Sequence, residues 1–212
     1  MTKEQVLEHI NKNRVFSIVR DDGPFAPYDV ARALIDGGLT TIEVSMGIPN
    51  AIEIIEKLQP ENILLGACTV ITAQQVQQAI QAGAQFIDTP VMEMSVIKFS
   101  KGDMKVPLIV GASTANEAYE SWKLNTLFTK IFPTEAMGGV EYIAYIMKIM
   151  PFLRLIATTG ISPENFTEYL DVGAFAVGLG RKLYADAENL GVITKRAKTV
   201  KAKLEDYLNL KA

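Results

Sequence analysis

Apolar and polar positions follow two alternating rhythms along the chain. Short runs rich in β-branched and aliphatic residues recur at VFSIVR (15–20), TIEVS (41–45), ILLGA (63–67), QFIDT (85–89), PLIVGA (107–112), LFTKIF (127–132), LRLIAT (153–158) and FAVGL (175–179). Between them, PYDVARALIDGG, TAQQVQQAIQAG and SPENFTEYLDVG place apolar residues three to four apart and end in glycine, the residue that takes a left-handed helix cap without steric cost. DGGLTTIEV, QAGAQFIDT and DVGAFAVGL repeat one layout of helix end, glycine, small step and apolar strand.

Eight βα units in 212 residues predict a closed α/β structure, a (β/α)₈ TIM barrel. The competing doubly wound open sheet uses fewer strands and often carries G-x-G-x-x-G in its first turn. Here VGLGRKL holds only G-x-G and follows the last run. Residues 2–13 are expected to form an extra N-terminal helix closing the barrel bottom. ITKRAKTVKAKLEDYLNL reads as a long final helix with a solvated basic face. No linker or low-complexity tract interrupts the series, so residues 1–212 are expected to form one domain.

Strand parity then singles out chemistry. Alternate residues of a barrel strand face inward and toward the outer helices. In TIEVS, Ile42 and Val44 suit the helix-facing side, which turns Glu43 inward. In LFTKIF, Lys130 shares a face with Phe128 and Phe132, and Arg20 alternates with Ile18 and Phe16. All three ionisable residues lie late in their strands, at the end where barrel enzymes hold their active sites. An amine in apolar surroundings loses hydration, which predicts a lowered pKa for Lys130. A neutral amine attacks a ketone to give a Schiff base, and the adjacent Glu43 carboxylate can move the protons. A structural ion pair between Lys130 and Glu43, or a lysine reaching out of the barrel mouth, fits the same spacing.

Anion binding is the second constellation. ATTGISPEN and VGLGRKLY each run from strand through a glycine turn to a helix start, after the seventh and eighth strands. Barrels commonly hold phosphate there on backbone N–H groups. Gly160, Gly178 and Gly180 allow close backbone approach, and Arg181 adds a cation; glycines serving only as turns are the plainer reading. Thr69 offers a hydroxyl and an N–H for a carboxylate, Pro90 an apolar wall, and Thr158 either a lining or a cap. Cys68, with no histidine nearby to activate it, reads as a core filler.

Composition narrows the partners. A net charge of −3 gives no reason to expect nucleic acid or an anionic membrane surface. No apolar run approaches the roughly 18 residues that span a bilayer. The polar opening MTKEQVLEHINKN is expected to be no secretory signal, and a lone cysteine suits the cytoplasm. With Cys68 and His9 the sole residues of their kinds, no metal and no cofactor is expected.

Glu43 in IEV, Thr69 in GACTV, Pro90 in DTP, Lys130 in KIFPTE, then TGISPEN and VGLG together resemble the class I aldolases of the 2-keto-3-deoxy-6-phosphogluconate (KDPG) and 4-hydroxy-2-oxoglutarate family. The chain is similar as well to the 6-phosphogalactonate members. The resemblance covers nearly the whole chain, and the K-x-F-P box is its most specific part. It implies a (β/α)₈ barrel, a homotrimer and no metal. Lys130 would form the Schiff base with pyruvate and Glu43 would be the general acid/base. Arg20 and Thr69 would hold the pyruvate carboxylate, and Thr158, Thr159 and Gly160 match the family's T-G-G box. The implied reaction cleaves a 2-keto-3-deoxy-6-phospho sugar acid to pyruvate and glyceraldehyde 3-phosphate, with 4-hydroxy-2-oxoglutarate as a further substrate. Three positions depart from the family: Gly47 where some members carry arginine, Thr159 in place of a glycine, and Arg181 where a serine is usual. The rival readings are a phosphate-barrel isomerase or epimerase without a covalent intermediate, and a non-catalytic sugar-acid-binding barrel.

Overall fold

The computed structural model describes residues 1–211. Helix α1 (Lys3–Asn13) precedes eight strands: β1 (Val15–Val19), β2 (Thr41–Ser45), β3 (Leu64–Cys68), β4 (Phe86–Thr89), β5 (Leu108–Ala112), β6 (Phe128–Ile131), β7 (Leu155–Thr158) and β8 (Ala176–Leu179). They pair in parallel and in sequence order, and β8 returns to β1, so the sheet closes as a (β/α)₈ barrel. The expected runs and the observed strands differ only by a residue or two at their ends.

Helices α2 (Pro27–Asp36), α3 (Ala51–Leu58), α4 (Ala73–Gln81), α5 (Met94–Lys101), α6 (Ala115–Lys123), α7 (Gly139–Ile149), α8 (Phe166–Asp171) and α9 (Leu190–Lys211) surround it. In α3 the buried residues Ala51, Ile54, Ile55 and Leu58 form one inward stripe. Thr72 and Thr114 start α4 and α6 by accepting hydrogen bonds from the Gln75 and Glu117 N–H groups. The repeated glycines Gly38, Gly83 and Gly173 all sit at positive φ, where the chain leaves a helix for the next strand. Helix α9 buries Ile193, Ala197, Val200 and Leu204 and packs on α2. Gly37 permits that approach: a Cβ there would stand 2.3 Å from the Ala197 Cβ. Among the described residues, no helix is long and apolar enough to cross a membrane.

Two apolar clusters result. The larger lies between the strands and the helices. The smaller fills the lower barrel with Phe16, Leu64, Phe86, Ile109, Phe128, Ile156 and Ala176, closed from below by Val6 and Ile10 of α1. The extra helix thus plugs the bottom, as its sequence predicts. Above that apolar filling, the inward side chains turn polar.

Candidate active site

Glu43 on β2, Asp88 on β4 and Lys130 on β6 reach inward from alternate strands to one point. Lys130 Nζ lies 2.8 and 2.7 Å from the two carboxylate oxygens of Glu43 and also donates to Asp88 Oδ2. All three side chains are at most 5% exposed. Beneath them the Phe16 ring centroid is 5.3 Å from Nζ, a cation resting over an aromatic face. Glycine makes the space: Gly66 is in register with Glu43, and Gly111 with Lys130. A Cβ on Gly66 would stand 2.2 Å from the Phe86 ring, and one on Gly111 2.0 Å from the Pro90 carbonyl oxygen.

The electrostatics correct one expectation. The apolar run around Lys130 predicts a lowered pKa and a neutral amine. Burial does push Lys130 down, but the carboxylates of Asp88 and Glu43 pull it up by more, and the group is held as an ammonium above the ordinary lysine range. Its neighbours along the strand are apolar; the groups that set its charge lie across the barrel, on β2 and β4. Glu43 is pushed up to about 7, first by burial and further by Asp88, with Lys130 opposing. A carboxyl poised there can both give and take a proton near neutrality. Cys68 is buried, and its thiol is driven up to about 12 by burial and by both carboxylates, which fits a filler rather than a nucleophile.

The candidate site residues Lys130, Glu43, Arg20, Thr69, Pro90, Thr158, Thr159, Gly160, Gly178, Gly180 and Arg181 all line one cavity of about 820 Å³ at the C-terminal mouth, while Gly47 does not. Thr69 Oγ1 accepts from Ser45 Oγ at 3.1 Å, beside Glu43's strand end. Thr158 Oγ1 donates to the Gly178 carbonyl at 3.4 Å, tying β7 to β8. Thr69 and Thr159 adopt φ of 59° and 79°, a region in which β-branched residues are strained. Gly160 follows at 78°, and a Cβ there would meet the Glu135 side chain at 2.4 Å.

The turns after β7 and β8 differ from the expected helix starts. Helix α8 begins only at Phe166, because Asn165 Oδ1 accepts the Ser162 N–H at 2.8 Å and holds SPEN as a turn. A single 3₁₀ turn, Arg181–Leu183, follows β8. Arg181 is exposed, with Nε 3.8 Å from Asp22 Oδ2. Lys182 lines the cavity as well, and so do the carboxylates Asp22, Glu135 and Asp186. Two cations and three acids therefore share the outer rim. Among the described residues, no group of three or more His, Cys, Asp or Glu side chains is placed to hold a metal ion.

Sequence reasoning missed Asp88, although QFIDT alternates so that Asp88 shares the inward face of Phe86. It also missed Tyr184, which is fully buried and donates to Asp22 Oδ1 at 2.9 Å while its oxygen accepts the Arg20 N–H at 3.2 Å. That phenol pins the loop after β1, and so Arg20, to the last turn of the barrel.

A family model described as KDPG and KHG aldolase matches residues 6–195. A 2-dehydro-3-deoxy-phosphogluconate aldolase of Treponema pallidum (strain Nichols) is 33% identical over 78% of this chain and 79% of its own. A probable 2-dehydro-3-deoxy-6-phosphogalactonate aldolase of Rhizobium meliloti (strain 1021) is 31% identical over 86% and 87%. The crystal structure of KDPG aldolase from Legionella pneumophila, with pyruvate captured at low pH as a covalent carbinolamine intermediate, superposes with a TM-score of 0.80. It is 26% identical and covers 95% of this chain and 98% of its own.

Proposed function

The chain belongs to the KDPG and KHG aldolase family, a family of carbon–carbon lyases acting on keto-deoxy sugar acids, and from that premise we propose that it works through a Schiff base on Lys130. The substrate is a 2-keto-3-deoxy-6-phospho sugar acid of the KDPG type, cleaved to pyruvate and glyceraldehyde 3-phosphate. The observation that carries this reading is the buried Lys130 amine, 2.7 Å from a Glu43 carboxylate poised near neutrality, facing a cavity large enough for a sugar acid.

Glu43 takes a proton from Lys130 Nζ, and the freed amine attacks the C2 ketone. Glu43 returns that proton to the developing alkoxide, water departs, and an iminium remains. The iminium draws in the electron pair of the C3–C4 bond as Glu43 accepts the C4 hydroxyl proton. The aldehyde leaves, the enamine is protonated at C3, and hydrolysis frees pyruvate. Arg20 and Thr69 hold the keto-acid carboxylate. Arg181, with the backbone of the Thr159–Gly160 and Gly178–Gly180 turns, receives the phosphate end.

Incubation with pyruvate and borohydride, followed by mass analysis, should place one reduced pyruvate on Lys130. An unlabelled lysine would remove the mechanism and leave an epimerase-like or binding role. Rates on phosphorylated and unphosphorylated substrates of the gluconate and galactonate series, and on 4-hydroxy-2-oxoglutarate, assign the preferred substrate. A cytoplasmic homotrimer completes the proposal. Its support is the family resemblance. Sedimentation checks the trimer.

A further inference from the structure

Two buried carboxylates attend a single amine, and the mechanism above uses only one of them. Glu43 meets Nζ through both of its oxygens, while Asp88 meets it through Oδ2 alone. Asp88 Oδ1 is buried and has no hydrogen-bond partner among the described residues, although Asp88 lines the cavity. An unsatisfied carboxylate oxygen is costly.

We propose that Asp88 is a second catalytic carboxylate, the standing counter-ion of the Lys130 nitrogen through its ammonium, carbinolamine and iminium forms. The inference rests on the Schiff-base reading. Glu43 must leave Nζ to reach the substrate oxygens, and a buried nitrogen cation left alone would be strongly disfavoured. Asp88 Oδ2 is the contact that stays.

The protons balance with two acids. Converting an ammonium and a ketone to an iminium and water moves two protons from nitrogen to oxygen. Glu43 carries the first, from Nζ to the alkoxide formed as the N–C bond closes and the C=O π bond opens. Asp88 Oδ2 takes the second from the carbinolamine nitrogen and gives it to the departing hydroxyl on the adjacent carbon as the C–O bond breaks. Both carboxylates end ionised, and the iminium N–H remains paired with Asp88. The charged or titratable groups around this nitrogen are Glu43 from β2, Asp88 from β4, the neutral Cys68 thiol from β3 and Arg20 after β1. Strands β5, β7 and β8 bring Gly111, Thr158 and Gly178, none of which titrates.

The test is the rate of borohydride-trapped pyruvate labelling of Lys130 as a function of pH, read by intact mass on the full chain. Wild type, Asp88→Asn and Asp88→Val are compared. Asn keeps the shape; Val suits a strand and guards against an Asn variant that fails to fold. Loss of the counter-ion makes the ammonium give up its proton more readily, so the rise in labelling should move by about one pH unit or more toward acid. The maximal rate should fall roughly tenfold as the second proton loses its carrier. Profiles that superpose on wild type, whatever the overall rate, would overturn the role of Asp88 and leave the Schiff base standing. Absence of label in wild type would strike the Schiff-base reading, and Asp88 with it.

Discussion

Glu43, Asp88 and Lys130, at the floor of the cavity, project from strands and are at most 5% exposed, whereas Arg181, at its rim, projects from a turn with 67% of its side chain exposed. The floor is fixed by register: each reacting group is held by hydrogen-bonded neighbours and by glycines that leave it room. The rim is set by loop geometry and by charges that solvent screens. On the proposed mechanism, bond making would belong to the scaffold and choice of the aldehyde partner to the loops. Changes at the floor should therefore alter kcat, and changes at the rim should alter KM.

The sharpest way to break this contrast is Lys130→Met. Turnover should vanish into background while circular dichroism shows a folded barrel with a lowered melting temperature, because Met leaves Glu43 and Asp88 buried without their cation. Retained turnover would mean that another residue does the chemistry. Glu43→Gln comes next, with kcat lowered about 10²–10⁴-fold and KM little changed, measured by steady-state kinetics. The same variant probes stability against pH. Glu43 titrates near 7 in the folded chain against an ordinary 4.5, so the folded state binds its proton more tightly. Its contribution favours folding at acid pH and is lost as pH rises from about 4.5 through 7. The fall in melting temperature across that window should be shallower in Glu43→Gln than in wild type.

Rim changes should be milder. Arg181→Ala should raise KM for a phosphorylated substrate about tenfold with kcat nearly constant, and should leave an unphosphorylated substrate unaffected. An effect on kcat alone would transfer Arg181 to the floor's side of the comparison. Smallest is Thr159→Gly. Relief of the positive-φ strain, offset in part by glycine's added freedom in the unfolded chain, should stabilise the fold by about 1 kcal/mol in a denaturant titration.

Periodicity was enough to read the barrel, because each βα unit declares itself within some twenty residues. Parity was enough to turn Glu43 and Lys130 inward. What it could not supply was the state of the amine, since Glu43 and Asp88 are 87 and 42 positions away from Lys130 in the chain and meet it only when the sheet closes. Asp88 obeys the same alternation as Glu43, yet it stands beside the turn-forming Pro90, and that proline drew the reading toward a pocket wall. Tyr184 carried no signal at all: a tyrosine after a glycine turn says nothing of a partner 162 residues upstream. The start of α8 was misjudged because Asn165 closes a side-chain turn where a serine–proline pair suggests a first helical turn.

Val6 and Ile10 of α1 stop the lower end of the barrel, with Phe16 above them and directly under the amine. The reaction chamber is consequently a well with one way out. A substrate bonded to Lys130, as proposed, would sit at the bottom with its aldehyde half nearer the surface. On the proposed Schiff-base mechanism, cleavage products should depart in the order of their depth, aldehyde first and pyruvate last, so product inhibition should be ordered.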